Sequence, residues 1–223
     1  MCGKFTQMMS WGEYVHLADL IGASAGPRQA VTPMRFATVI RLNQDGRREA
    51  ARLRWGLVPP SAKDPYKACF IHARAETIDK RPTYRDAFLH RRGLVVVQTF
   101  NEGKEITPTK TEQHIITPND GKPIAIAVIW ERWGELHGAR LETFAMVTVP
   151  PNALIGSITD RMPAVIQADQ CAQWLGEEPT NVAELKNLLA PFEGDWTMQA
   201  APTSRRATRP PKARNTDPQQ SLF

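Results

Sequence analysis

Turn residues punctuate this 223-residue chain in a way that leaves few folds open. Asn43-Gln44-Asp45-Gly46 separates two runs with apolar–polar alternation, Phe36 to Leu42 and Ala50 to Leu57. Pro118-Asn119-Asp120-Gly121 separates His114 to Thr117 from Ile124 to Trp130. Turn residues between such runs predict hairpins, and hairpins make antiparallel neighbours. Proline pairs stop two strands: Pro59-Pro60 ends the second, and Pro150-Pro151 ends Leu141 to Val149. Leu94 to Val97, Arg161 to Ile166 and a run starting near Trp196 complete the expected strands. Helices are expected over Ser10 to Leu20, opened by Ser10 with Glu13 as a capping box. Others are expected over Pro82 to Arg92, with proline in the first turn and Gly93 as the break, over Ala168 to Leu175, and over Asn181 to Leu189. Strands in hairpins, not in strand–helix units, argue against a parallel sheet. They predict an α+β fold: one domain over residues 1–203, on a mainly antiparallel, barrel-like sheet flanked by short helices.

Composition narrows the class further. With 42% hydrophobic and 23% charged residues, the chain is ordinary for a globular protein. Its longest apolar run, Ile124 to Trp130, is far below the ~20 residues of a membrane-spanning helix. The opening Met-Cys-Gly-Lys-Phe-Thr-Gln lacks the apolar stretch of a secretory signal. Three widely spaced cysteines, Cys2, Cys69 and Cys171, form no disulfide framework and no C-x-x-C motif. The five histidines, His16, His72, His90, His114 and His137, form no H-E-x-x-H or H-x-x-x-H pair. The expected setting is the cytoplasm, with no metal and no cofactor. The net charge of +5 is unevenly placed. Arg205, Arg206, Arg209, Lys212 and Arg214 stand against Asp217, so four of the five charges belong to residues 204–223 and the body is nearly neutral. That Arg/Pro/Gln-rich tail is expected to be extended and partly disordered.

Cys2 is the residue with the most chemistry. Met1 precedes a small side chain, the situation in which an initiator methionine is removed. Cys2 then carries a thiol and an α-amine on neighbouring carbons, with reference pKa values of about 8.5 and 7.7–8.0. Such a 1,2-aminothiol attacks an aldehyde through nitrogen and closes through sulfur to a thiazolidine. It also serves as an N-terminal nucleophile on an amide. Cys69 and Cys171, with apolar or helical neighbours, are read as core residues.

Five segments recur in order: Cys2-Gly3-Lys4-Phe5; Arg54-Trp55-Gly56-Leu57-Val58-Pro59; Ile71-His72-Ala73-Arg74-Ala75-Glu76-Thr77; Phe100-Asn101-Glu102; and Asp160-Arg161-Met162-Pro163. The order resembles the SOS-response-associated peptidase family, over roughly residues 2 to 205. The resemblance implies a sensor of abasic sites in single-stranded DNA, in which Cys2 captures the ring-opened deoxyribose aldehyde as a thiazolidine. It implies a monomer that is nucleoid-associated when bound to DNA. It casts Cys2 as nucleophile and Glu102 as acid/base, the latter needing a pKa raised by burial. Without the resemblance Glu102 reads as a surface glutamate. The resemblance places Arg74 and Arg161 as phosphate contacts, Lys4 where the family has arginine, and Pro33 in a turn that shapes the DNA cleft. An Arg74–Glu76 salt bridge is the alternative for Arg74.

The chain departs from the family at three places. His72 stands for asparagine, and Thr159 for the histidine expected as proton shuttle; threonine does not titrate near neutrality. His72 is either a partial replacement for that imidazole or a hydrogen-bonded core histidine. Ser61, Ala62 and Lys63 occupy a segment where relatives carry tryptophans, leaving Trp55, Trp130 and Trp133 as candidates to stack on bases, with Trp130 read as core. Two other functions stay open: an N-terminal-nucleophile amidohydrolase, and a non-covalent DNA-binding relative with a degenerate site.

Overall fold

The computed structural model describes residues 2–7, 29–67, 69–136 and 139–202. The helix expected over Ser10 to Leu20, the tail 204–223, Met1, His16 and His137 lie outside the described residues. The strands in chain order are β1 Lys4–Gln7, β2 Gln29–Val31, β3 Phe36–Leu42, β4 Arg48–Trp55, β5 His72–Arg74 and β6 Arg92–Val97. They continue with β7 Thr99–Thr107, β8 Lys110–Pro118, β9 Ile124–Leu136, β10 Ala139–Val149, β11 Met162–Pro163 and β12 Trp196–Ala200. Four short helices flank them: α1 Pro82–His90, α2 Ala153–Gly156, α3 Cys171–Leu175 and α4 Val182–Asn187.

Two sheets result. One closes on itself, because β10-β4-β3-β6-β9 run side by side and β9 pairs back to β10. The other is an open sheet in the order β12-β8-β7-β1-β2. The pairing is antiparallel except where β4 and β5 lie parallel to β10. The expected barrel-like, mainly antiparallel α+β architecture is therefore what the chain adopts. Closure removes the unpaired sheet edges that a lone hairpin would expose.

The first expected hairpin forms as read. β3 and β4 pair from Phe36↔Arg54 to Leu42↔Arg48, and the Asn43 side chain accepts from the N–H groups of Asp45 and Arg47 to close the turn. The second is different. The turn at Pro118 exists, with Gly121 N–H donating to Pro118 O at 3.2 Å. Yet β8 pairs with β7 and β12, whereas β9 pairs with β6 and β10. The turn therefore carries the chain from one sheet to the other. Turn chemistry is local, and partner choice is set by which apolar faces can be buried together.

Gly93 also differs from expectation. The helix ends at His90, and Gly93 lies inside β6. A Cβ there would meet Val39 Cγ1 at 2.7 Å and the Ile40 carbonyl oxygen at 3.0 Å. Gly93 is required by the close approach of β3, not by a helix end. Gly56 serves the site more directly. Its φ of +130° is open to glycine and hardly to other residues, and it turns the chain out of β4 so that Leu57 pairs with Phe70. That return lays β5 along β10, with Met146↔His72 and Thr148↔Arg74 in register.

Candidate functional site

Cys2 is placed by the strand that follows it. β1 lies between β2 and β7, with Phe5 opposite both Val31 and Phe100. This lock brings Cys2 beside Glu102, a hundred residues away in sequence. Cys2 is 1% exposed and Glu102 is fully buried, so the surface reading of Glu102 does not survive. Burial pushes the Glu102 carboxyl up to about 7, against the pull of the Cys2 backbone N–H. The Cys2 thiol is raised well above its ordinary value by the same desolvation, with the Glu102 charge adding to it. Its Sγ reaches the Lys4 carbonyl at 3.5 Å.

His72 closes the other side. Its Nε2 lies 2.7 Å from the Cys2 carbonyl oxygen. A carbonyl only accepts, so Nε2 carries the proton and the ring is neutral with Nδ1 as acceptor. Burial pushes this imidazole down to about 4, so at neutral pH it holds Cys2 in place and does not carry charge. Tyr84 donates from its hydroxyl to the His72 carbonyl at 3.2 Å, and the Trp55 ring packs edge-on at 6.2 Å. No motif pointed to Tyr84, which is reached only through the packing of α1.

The segment 159–161 faces the same pocket. The Asp160 charge acts on Glu102, raising its pKa. Thr159 is half-buried, and its N–H donates to Ile155 O at 3.1 Å. Arg161 is 6% exposed. Its Nη1 and Nη2 donate to Glu76 at 2.5 and 2.9 Å, and Nη2 also donates to Thr148 O at 2.6 Å. Glu76 is thus paired with Arg161, which holds its carboxyl below the usual range, with the Arg74 charge adding to the same shift. Arg74 itself is exposed at the end of β5. Lys4 is exposed on β1, opposite Asn101. Pro33 sits in a turn in which Arg35 N–H donates to Thr32 O, followed by Met34 at φ 68°. Cys2, Glu102 and Arg161 are buried and His72 and Thr159 half-buried in one neighbourhood, with Asp160 exposed at its edge and Lys4, Arg74 and Pro33 outside it.

Two readings need correction. Trp55 is fully buried and bonds through Nε1 to Ile71 O at 2.9 Å, so it cannot stack on a base. Cys69 is half-exposed and not a core residue, whereas Cys171 is buried and its thiol is pushed up to about 11 by desolvation. Trp133 is half-buried with Nε1 donating to Ala62 O at 2.7 Å. Trp130 is core as read. Sequence reasoning also passed over His114, which the β7–β8 register sets directly opposite Glu102; only strand pairing reveals it.

The two shifted groups make opposite demands on stability. His72 moves from 6.5 to about 4 on folding, so between those values the unfolded chain binds more protons, and stability is lost as pH falls. Glu102 moves from 4.5 to about 7, so the folded chain binds more protons there, and stability is lost as pH rises. Between pH 4.5 and 6.5 the two slopes oppose each other. Glu102→Gln should leave the His72 slope alone, with stability falling toward acid by up to about 1.4 kcal/mol per pH unit. His72→Gln should leave the reverse slope. Urea unfolding across pH 4.5–6.5 reads this, and identical profiles for wild type and both variants would refute the opposition.

Comparison with known proteins identifies the family and the fold. The family model for SOS response associated peptidase (SRAP) matches residues 1–210. The abasic site processing protein YobE of Bacillus subtilis is 31% identical over 202 residues, covering 87% of this chain and 91% of its own. The abasic site processing protein HMCES of Xenopus tropicalis is 28% identical over 171 residues, covering 66% of this chain and 50% of its own. Among solved structures, a protein from Bordetella bronchiseptica has the same fold with a TM-score of 0.75, at 20% identity, covering 90% of this chain and 100% of its own. Among the described residues, no helix is long and apolar enough to cross a membrane.

Proposed function

The chain belongs to the SOS response associated peptidase family, and from that premise we propose that it captures abasic sites in single-stranded DNA as a covalent adduct on Cys2. The observation that carries this is the meeting of Cys2 with a buried acid: the Cys2 N–H faces Glu102 while His72 holds the Cys2 carbonyl. Once Met1 is removed, that nitrogen is a free amine beside a carboxyl that burial pushes above its ordinary range, the direction that lets one group give and take protons near neutrality.

The steps balance as follows. The amine adds to the aldehyde carbon of the open-chain deoxyribose, forming a C–N bond and a carbinolamine. Glu102 protonates the hydroxyl, which leaves as water, and the resulting iminium returns its N–H proton to the Glu102 carboxylate to give an imine. The thiol sulfur then adds to the imine carbon, its proton passing to nitrogen, and the thiazolidine closes. The raised thiol pKa suits this order, because sulfur reacts second, inside a closed ring, and is not left as a free thiolate in the cell. Arg74 and Lys4 at the rim would meet the flanking phosphates, and Pro33 would shape the cleft between them. His72 and Thr159 support the pocket without shuttling protons.

The test is intact mass spectrometry of the purified chain after incubation with a single-stranded oligonucleotide carrying one abasic site. The expected species is the chain without Met1 plus the oligonucleotide minus one water. Its absence, with the oligonucleotide intact and Met1 removed, would overturn the proposal.

A further inference from the structure

Among the described residues five large apolar side chains are open to solvent, and two of them share one outer wall of the barrel. Tyr66 is 59% exposed and Phe36 is 40% exposed. Phe36 begins β3 directly opposite Arg54 of β4. The Arg54 guanidinium lies 5.4 Å from the centre of the Tyr66 ring, and its Nη2 donates to Pro65 O at 2.8 Å, pinning the loop that presents Tyr66. Tyr66 N–H is held in turn by the Asp64 side chain at 2.8 Å. Arg52, two residues along β4, places its guanidinium 5.4 Å from the Phe36 ring centre. Each exposed ring thus has an arginine guanidinium beside it.

This wall adjoins the buried site. The β1–β2 ladder runs from Gln7↔Gln29 to Phe5↔Val31, and from that last pair Cys2 is three residues back along one strand and Pro33 two residues on along the other. Phe36 follows Pro33 by three residues, at most about 10 Å of chain. The surroundings are cationic: Arg35, Arg52, Lys63 and Lys67 are exposed, and Asp64 is paired with Lys67 at 3.8 Å. Rigid aromatic faces within a ring of cations suit a partner with flat π-faces strung on a polyanion.

We propose that Tyr66 and Phe36 form the stacking platform for bases flanking the abasic position. In this chain they would supply what the tryptophan-free segment Ser61-Ala62-Lys63 does not. The proposal deepens the reading of the chain as a single-strand binder and rests on it, but it does not depend on the covalent step. Arg35, Arg52 and Lys63 carry the phosphates of the same strand past the two rings.

The experiment is fluorescence anisotropy with an undamaged, labelled oligothymidine, so that binding is read apart from adduct formation. Tyr66→Ala and Phe36→Ala are each expected to weaken binding roughly 5- to 150-fold. Tyr66→Phe should bind like wild type, since stacking needs the ring and not the hydroxyl. Tyr66→Ala should leave the salt slope unchanged, whereas Lys63→Ala should reduce it by about 0.7. Tyr66 is the more exposed ring, so Tyr66→Ala should leave the melting temperature in place, whereas Phe36→Ala, at a ring 40% exposed, should lower it modestly; should either alanine variant unfold, the other and Tyr66→Phe still decide. Wild-type affinity in both alanine variants, or no binding of the undamaged strand by wild type, overturns the platform. Wild type that binds the undamaged strand with the expected loss in the variants, yet forms no adduct with an abasic strand, refutes the covalent reading and leaves the platform standing.

Discussion

Replacing Cys2 by alanine is expected to abolish the adduct with an abasic strand, with no residual species on a denaturing gel. The alanine chain keeps a terminal amine after Met1 removal, so it can still form an imine, but nothing closes the ring and hydrolysis reverses it. Cys2→Ser should behave in nearly the same way, because a hydroxyl is a far weaker nucleophile than sulfur. Borohydride trapping should recover both variants as reduced amine adducts, which separates loss of ring closure from loss of DNA binding. Glu102→Gln should act on rate and not on the end point. A glutamine cannot protonate the departing hydroxyl, and losing a positioned acid costs typically 10²- to 10⁴-fold. A stable adduct formed by Cys2→Ala would place the nucleophile elsewhere, with half-exposed Cys69 the first thiol to test.

How much of this could be seen in the sequence depends on the range of the interaction. The β3–β4 hairpin was legible because Asn43 closes its own turn within four residues. The capping box at Asn181 and Glu184 was equally local, and an expected helix forms behind it. β7 and the first half of β8 were not legible. Lys104, Glu105 and Ile106 on one strand and Lys110 to Gln113 on the other are exposed, so no apolar alternation marks them; they hold as strands because β7 is clamped by β1 at its inner end. Cys2 and Glu102 could be named from ordered motifs, but their meeting rests on Phe5 pairing with Phe100. Arg161 shows the limit most clearly. Its residue type suggested a phosphate contact, while its buried fork is spent on Glu76, 85 positions away. Trp55 misled for a related reason: the alternation over Ala50 to Leu57 does not say which face of the strand meets the core, and only barrel closure shows that its ring is buried.

The second large effect follows from that ring. Trp55→Ala is expected to cost about 3–5 kcal/mol, the range for removing a fully buried tryptophan. Trp55 stacks on Phe144 at 6.3 Å and 10° within the barrel, and meets Phe5 of the open sheet at 5.1 Å. It is therefore a joint between the two sheets, and deleting it loosens both. Its Nε1 also donates to the Ile71 carbonyl at 2.9 Å; that oxygen keeps the Met146 N–H at 3.0 Å, so Trp55→Phe loses one of two bonds, at about 0.5–1.5 kcal/mol. Against a typical total of 5–15 kcal/mol, the alanine variant should lower the urea midpoint sharply with the slope unchanged, and the phenylalanine variant by less. A loss below about 1 kcal/mol for Trp55→Ala would mean that the sheets are not joined through this ring. The same substitution reaches the chemistry through position alone. Ile71 precedes His72, and the Trp55 ring edges against the His72 imidazole that holds Cys2. Trp55→Phe, which stays folded, should therefore slow adduct formation, because a Cys2 carbonyl that is held less firmly aligns its nitrogen less often. Glu102→Gln should slow the reaction while sparing stability near neutrality, where Glu102 no longer has to be buried ionised. A Trp55→Phe chain that loses stability yet reacts at the wild-type rate would confine this residue to the core and leave the placement of Cys2 to His72 and Tyr84.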